Sequence, residues 1–133
     1  MRPKEYQSLY DAAREALKSS YSPYSRFSVG AALLTKTGEV FVGTNVENAS
    51  YGLTICAERV AIFNAVSQGE RSFAAIAVAA KSAGACAPCG ACRQVIFEFG
   101  QEISVVYQNE SGNLLVKSIA DLLPDGFGPQ DLS

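Results

Sequence analysis

The segment at positions 73–80, FAAIAVAA, constrains the fold more strongly than any other stretch of the chain. It is a short, continuous apolar run, which is typical of a central strand covered by helices on both faces. Helical patterns precede it at 55–69 and follow it at 89–99, with a further strand pattern on either side. The order strand, helix, strand, helix, strand through the middle of the chain therefore predicts parallel crossovers.

The flanking patterns complete the predicted sheet. Hairpin strands are predicted at 28–36 and 39–45 and at 102–108 and 114–118, with helices at 3–20 and 119–124 and loops at 21–27, 45–54 and 81–88. The chain is thus predicted to be a three-layer α/β/α sandwich around one mixed five-stranded sheet. No repeat or linker divides it, so residues 1–133 are expected to form a single domain.

Composition narrows the possible functions. The chain contains no histidine, which excludes catalytic triads built on an imidazole base. A general base must then be a carboxylate, lysine, tyrosine or cysteine, and a zinc site must use thiolates, with or without carboxylates. The net charge of −2 and the lack of a long basic run argue against a surface for nucleic acid or an anionic membrane.

The N-terminus and the cysteines indicate the compartment. Positions 1–20 carry charges throughout, unlike a signal peptide, and no apolar run approaches the ~20 residues of a membrane span. We therefore expect a cytoplasmic protein. In that compartment clustered cysteines bind a metal or react more often than they form a disulfide framework, which is the alternative for a chain with four cysteines.

Three of the four cysteines are predicted to meet at one edge of the sheet. Cys89 and Cys92 have i, i+3 spacing at a helix start, in the stretch PCGACRQ, and Cys56 opens the preceding helix, in CAERV. Both helices follow strands of the same sheet, so their N-termini should lie at the edge where α/β proteins bind ligands. A C-x-x-C pair alone also fits a redox site, but the third cysteine favours a metal site.

Glu58, two residues after Cys56, is the candidate acid–base group. Three ligands leave a position on zinc for water, and a carboxylate beside it can move a proton. The alternative is that Glu58 only complements the helix dipole. Because zinc with three thiolates has a formal charge of −1, Arg59 and Arg93 are candidates to hydrogen-bond the sulfurs from outside the ligand shell; alternatively, either is a surface cation.

These residues carry a resemblance to a known family. CAE followed by PCGACRQ resembles the three-cysteine form of the zinc-dependent nucleoside deaminase signature. The similarity to cytidine deaminases extends over roughly residues 5–127. It includes the stretches SPYSRFSVGAALL, GTNVENASYGLTICAERVAIFNAVSQG and PCGACRQVIFEF. The resemblance implies hydrolytic deamination of cytidine and 2′-deoxycytidine in pyrimidine salvage. It also implies one Zn²⁺ per subunit on Cys56, Cys89 and Cys92, with hydroxide attacking C4 and Glu58 as the proton shuttle.

The same resemblance implies how a nucleoside would bind. Asn45 and Glu47 would hydrogen-bond the ribose hydroxyls, Phe27 would stack on the pyrimidine, and the main chain of Ala57 and Cys89 would read the edge of the base. For Phe27 the alternative is ordinary core packing. The short length resembles the homotetrameric branch of the family, in which neighbouring subunits share active sites. The segment around Tyr51 and the C-terminal Phe127 occupy the matching positions.

One position departs from the family pattern. The chain has CAPCGAC, where the family usually has serine or a similar residue before PCG, and this adds Cys86 three residues before Cys89. A closed, structural four-cysteine zinc module is therefore a second hypothesis, and deamination of an aminonucleoside antibiotic is a third. A deaminase of nucleic acid would require a basic channel, which this acidic chain lacks. Because Pro88 holds residue 87 extended, we predict that Cys86 is a small free thiol and not a ligand.

Overall fold

The computed structural model describes residues 1–81 and 86–132. Within these ranges the strands are β1 (Val29–Thr35), β2 (Val40–Thr44), β3 (Phe73–Ala80), β4 (Ser104–Gln108) and β5 (Leu114–Ser118). The helices are α1 (Pro3–Ala16), α2 (Ala57–Ser67), α3 (Gly90–Phe99) and α4 (Ile119–Leu122), with 3₁₀ turns at Leu17–Ser19, Tyr51–Leu53 and Pro129–Asp131. The order of strands and α-helices is the predicted one.

The strands form one mixed sheet in the order β2-β1-β3-β4-β5. β1 is antiparallel to both β2 and β3, β3 is parallel to β4, and β4 is antiparallel to β5. Since β2 and β3 both oppose β1, they run in the same direction, and the crossover through α2 passes over β1. The predicted mixed five-stranded sheet is confirmed. β2 and β5 are its edges, whereas β1 lies inside it.

The two faces of β3 separate the two cores. Ala75, Ala77 and Ala79 pack on one face in a cluster with Leu9 and Tyr10 of α1. On the other face, Ile76 and Val78 pack in a larger cluster that receives buried residues from α2, α3 and α4: Ala57, Ala61, Ile62, Ala65, Ile96, Phe97 and Ile119. Helices therefore cover both faces, which confirms the predicted three-layer α/β/α sandwich.

The helix starts differ slightly from the prediction. α2 begins at Ala57 and α3 at Gly90, so Cys56 and Cys89 are N-cap residues with extended backbone (ψ 153° and 169°). An N-cap lies half outside the helix, and periodicity places it poorly. Gly69 is the predicted C′ glycine of α2, with φ +95°. Residues 82–85 of the predicted loop at 81–88 lie outside the described residues.

The first turn of α2 lies directly on the sheet. A Cβ atom added at Gly43 would lie 2.4 Å from the Ala61 nitrogen and 2.6 Å from the Ala57 carbonyl oxygen. Such distances are far below van der Waals contact, so only glycine allows β2 and α2 to approach this closely. This contact sets the height of the helix start, and therefore the positions of Cys56 and Glu58 above the sheet.

Candidate active site

Three cysteine sulfurs converge at the N-termini of α2 and α3. The Sγ atoms of Cys56, Cys89 and Cys92 all lie within 4.8 Å of one another, and those of Cys56 and Cys89 are 3.8 Å apart. Zinc–thiolate bonds of about 2.3 Å in a tetrahedron place two sulfurs about 3.8 Å apart. Both the donor set and the spacing therefore fit zinc. Cys86 is half-buried and free, and it does not belong to this cluster.

The surroundings of the cluster favour thiolate at Cys56. Hydrogen bonds from Cys92 first, and from Arg59 and Cys89, lower the pKa of the Cys56 thiol to about 5. For Cys92, the hydrogen bond to Cys56 and the burial of the side chain raise the pKa of the thiol. The sulfur of Cys56 thus loses its proton more readily than that of Cys92, and a metal ligand must lose its proton.

The two candidate arginines are placed differently. The Nη2 of Arg59 donates to the Sγ of Cys56 at 3.4 Å, and this hydrogen bond raises the pKa of the guanidinium further. Arg93 instead donates to the main-chain carbonyls of Pro88 (2.7 Å) and Leu122 (2.9 Å). The suggestion that Arg93 hydrogen-bonds a sulfur is therefore wrong, because its side chain turns away to tie the start of α3 to the end of α4.

Glu58 lies in the first turn of α2 with only 4% of its surface exposed. Burial is the main reason that the pKa of its carboxyl is raised above the ordinary value. A carboxyl whose pKa is moved toward neutrality is suited to both accepting and releasing a proton. Complementing the helix dipole requires no such burial, so the environment favours the proton-transfer interpretation, which stays a prediction.

A cavity of about 290 Å³ brings most of the predicted site residues together. It is lined by Phe27, Asn45, Glu47, Cys56, Ala57, Glu58 and Cys89, and also by Ser25, Val29, Thr54, Ile55, Cys86 and Ala87. Phe27 is 43% exposed and belongs to neither buried core cluster. Core packing therefore does not explain this phenylalanine, whose ring is free to contact a ligand in the cavity.

Glu47, which lines the same cavity, is fixed by the loop before β1. Its Oε1 accepts from the main-chain nitrogens of Tyr24 (2.9 Å) and Ser25 (3.1 Å), and its Oε2 accepts from the Ser25 hydroxyl. The hydrogen bond from the Ser25 side chain is the main reason that the pKa of Glu47 is lowered. Ser25 is not among the predicted site residues, although it lies two residues before Phe27 in the same motif.

Asn45 has a structural role in addition to its predicted one. Its Oδ1 accepts from the Val29 nitrogen at 3.0 Å and from the Ser20 hydroxyl, and its Nδ2 donates to the Phe27 carbonyl at 2.7 Å. One N–H of the amide then remains for a ligand. Asn45 therefore holds the loop that carries Phe27 while keeping a donor available in the cavity.

Tyr51 and Phe127 do not line this cavity. Tyr51 is 75% exposed and makes an edge-to-face contact with Tyr24, with ring centroids 6.0 Å apart, above a neighbouring cavity that also contains Glu47. Phe127 is 57% exposed, and its carbonyl accepts from the Nε2 of Gln94 at 2.7 Å. Within one chain, neither side chain lines the cavity that contains Cys56, Cys89 and Glu58, and their roles as groups shared between subunits stay predictions.

Comparison with known proteins identifies the family. Residues 3–108 match the cytidine and deoxycytidylate deaminase zinc-binding region. A cytidine deaminase from Sporosarcina psychrophila is 47% identical over 130 residues, which cover 97% of this chain and 96% of that protein. The crystal structure of a cytidine deaminase from Burkholderia pseudomallei is 52% identical, with a TM-score of 0.87 over 96% of this chain and 100% of that one. The chain belongs to the zinc-binding cytidine and deoxycytidylate deaminase family, whose members are hydrolases.

A blasticidin-S deaminase from Bacillus cereus is 32% identical over 124 residues, or 87% of each protein. In residues 1–81 and 86–132, no helix combines the length and apolar character needed to cross a membrane.

Proposed function

We propose that this protein catalyses the hydrolytic deamination of cytidine and 2′-deoxycytidine to uridine and 2′-deoxyuridine, with release of ammonia. The observation that carries the proposal is a single cavity that two kinds of group line together. Cys56, Cys89 and Glu58 suit attack on the amino-bearing carbon. Asn45 and Glu47 suit recognition of a sugar hydroxyl.

Cys56, Cys89 and Cys92 would hold one zinc ion per chain. When bound, zinc would act as a Lewis acid that lowers the pKa of water, so that hydroxide is available at neutral pH to attack the pyrimidine ring. Three thiolates leave the site formally anionic, and the hydrogen bond from Arg59 to the Sγ of Cys56 offsets part of that charge. Arg59 thus acts on the metal site through the ligand sulfur.

Glu58 would carry out the proton transfers of the reaction. Its carboxylate accepts one proton from the attacking water and delivers it to ring N3; it then accepts the proton of the new C4 hydroxyl and delivers it to the amino group, which leaves as ammonia when the C4–N bond breaks. The burial that raises its pKa makes it a better acceptor than an exposed carboxylate and a usable donor once protonated. Its position on the first turn of α2 keeps it beside the cysteines throughout.

Substrate recognition follows from the groups that remain free. Phe27 offers a ring for stacking on the pyrimidine, and the main-chain nitrogen at the start of α2, Ala57, has no partner within the helix. Asn45 retains one donor, and the Oε2 of Glu47 retains acceptor capacity. One donor and one acceptor satisfy a single hydroxyl, so the 2′-hydroxyl is not required, and both cytidine and its 2′-deoxy form should bind.

We propose further that residues 1–133 act as one catalytic domain in a cytoplasmic homotetramer that contributes to pyrimidine salvage. Tyr51, Leu53 and Phe127 support the assembly, since each is more than half exposed and apolar. Exposed apolar side chains of this kind suit an interface with a neighbouring subunit.

The two alternatives have weaker support. A closed zinc module would require Cys86 as a fourth ligand, and it would leave the Glu58 and Glu47 carboxylates without a role. Deamination of an aminonucleoside antibiotic is supported only by the more distant relative. A closed zinc module does not explain why Asn45 and Glu47 line the same cavity, whereas cytidine and an aminonucleoside antibiotic both carry a sugar for these residues to bind.

The test uses the full chain loaded with zinc. We expect loss of cytidine absorbance, release of one ammonia per uridine formed, and little turnover of blasticidin S under the same conditions. Cys89→Ala should lose zinc, whereas Cys86→Ala should retain one zinc per chain. Turnover of blasticidin S without turnover of cytidine would assign the antibiotic instead, and loss of zinc from Cys86→Ala would indicate a closed structural site.

A further inference from the structure

Cys86 and Ala87 form a wall of the active-site cavity to which the reaction assigns no role. Both residues line the cavity, and Cys86 also packs against the larger core cluster beside α2 and α3. Burial raises the pKa of the Cys86 thiol to about 11, so the wall carries no charge at neutral pH. It is therefore apolar and is built from two small side chains.

The proposed function fixes how a pyrimidine must lie against this wall. C4 points to the cysteines and Glu58, and N1 with its sugar points to Glu47. One long edge of the ring then carries O2 and N3, which need hydrogen-bonding partners, and the other carries the carbons C5 and C6. The start of α2 supplies those partners through Glu58 and the free main-chain nitrogen of Ala57.

The carbon edge must face a surface that offers no hydrogen bonds. Cys86 meets this requirement, and it lines the same cavity as Cys56, Glu58 and Cys89, the groups that the reaction places around C4. C5 is the ring atom next to C4 on the carbon edge. The Cys86 side chain is therefore the wall group best placed to contact whatever C5 carries.

We propose that Cys86 is a specificity-determining residue that faces C5 of the pyrimidine and sets the size of the substituent accepted there. The inference rests on the proposed function and deepens it. The substrates concerned are cytidines with a methyl group or a halogen at C5. A branched side chain at position 86 would occupy the space that these substituents need, whereas an alanine would enlarge it.

The experiment compares kcat/KM for 5-methylcytidine with that for cytidine in zinc-loaded protein. We expect the parent to use both substrates, and Cys86→Val to lower the ratio of the two values by about tenfold or more, as one misplaced methyl group does in an apolar pocket. Cys86→Ala should raise the corresponding ratio for the larger 5-iodocytidine. Calorimetric binding of uridine and 5-methyluridine should shift in the same direction, independently of turnover.

Val29→Ile is the matched control, because it adds one carbon to a different part of the same cavity lining. It should change the ratio by less than about twofold, even if it slows both substrates. A ratio that does not move in Cys86→Val and Cys86→Ala, or that moves as much in Val29→Ile, overturns the role of Cys86. Failure of the parent to deaminate cytidine overturns the proposed function itself. If Cys86→Val does not fold, the outcome with Cys86→Ala and 5-iodocytidine decides.

Discussion

Glu58 combines deep burial with a place in the cavity wall beside the thiol cluster. Glu58→Gln keeps the size of the side chain but removes its ability to accept a proton. We expect deamination to fall by about 10²–10⁴-fold, with zinc content and thermal stability close to those of the parent. Parallel measurement of turnover and zinc in the purified variant checks this. Near-normal turnover would remove Glu58 from the mechanism.

Glu47 and Asn45 should separate binding from folding. Glu47→Ala should raise KM for cytidine by about 10–100-fold, the worth of a hydrogen bond to a charged group, and leave zinc content unchanged. Asn45→Ala should raise KM as well. It should also lower the free energy of unfolding by about 1–3 kcal/mol, because the Val29 nitrogen and the Phe27 carbonyl lose their partner.

The ionisation of Glu47 determines how substrate binding should respond to pH. Its pKa is held below the ordinary value of 4.5, so the carboxylate stays ionised at neutral pH, and its acceptor is lost only as pH falls through that lowered pKa. KM for cytidine should therefore show no rise from Glu47 between pH 5 and 8. Parent protein that processed free cytosine as well as cytidine would contradict sugar recognition by Glu47.

Single residues show what sequence reasoning could and could not reach. Cys56, Glu58 and Cys89 could be grouped in advance, because helix starts that follow strands of one sheet meet at one edge. The direction of an arginine side chain could not be predicted: Arg59 and Arg93 have similar sequence contexts, yet only Arg59 donates to a sulfur. Long side chains choose among several nearby acceptors, and only tertiary packing determines which one is reached.

The contact between β2 and α2 makes Gly43 a positioning residue. Gly43→Ala would drive a methyl group into the backbone of α2 at Ala57 and Ala61. A backbone cannot rotate away as a side chain can, so the whole first turn of the helix must shift. We expect a loss of about 1–3 kcal/mol in stability from overpacking. Zinc affinity should also fall, because the displaced turn carries Cys56 and Glu58. Zinc titration with a competing chelator measures the second effect.

Gly38→Ala is the control for that variant. A Cβ atom at Gly38 meets nothing within 4 Å, but its φ of +97° makes the substitution strained. It should therefore lower stability without changing zinc affinity. Equal effects of Gly38→Ala and Gly43→Ala on zinc affinity would show that general destabilisation, and not displacement of α2, is responsible.

Elements were more predictable than their ends. The apolar run that became β3 and the helices on either side of it were identified from periodicity, because burial on both faces leaves a clear pattern. The position of β1 inside the sheet was less accessible, since a hairpin has the same sequence pattern whichever of its strands lies at the edge. In the structure, α1 packs across both β1 and β3, against Ala32 and the alanines on one face of β3, which fits a position of β1 inside the sheet.

In the whole molecule, a metal bound by Cys56, Cys89 and Cys92 would link two helices far apart in the sequence. Such a ligand stabilises the folded state by about 4 kcal/mol when its free concentration is 1,000 times its dissociation constant. Removal of zinc by a chelator should therefore lower Tm by about 10 °C or more, and added zinc should restore it. A Tm that does not change with metal content would contradict a metal link between α2 and α3.

Assembly is the second prediction for the whole molecule. We expect light scattering to give a mass of four chains of 14.1 kDa each. Truncation before Phe127 should lower activity more than it lowers Tm, because the lost side chain is exposed within one chain and would complete a neighbour's site. Truncation at Leu132, which is 80% exposed, is the milder control. An active monomer would contradict shared sites.

The sugar-recognition carboxylate has a consequence for how such a protein can diverge. Glu47 takes its hydrogen bonds from Tyr24 and Ser25, in a loop that contributes no cysteine to the cluster. The residues that hold Glu47 can therefore change without any change in the cysteines or Glu58. Substitutions in that loop would alter which sugars are accepted, or allow compounds with no sugar, while the metal ligands stay the same. A mutant library restricted to positions 20–26, which leaves Phe27 unchanged, is therefore the most economical starting point for evolving a deaminase toward other aminopyrimidines.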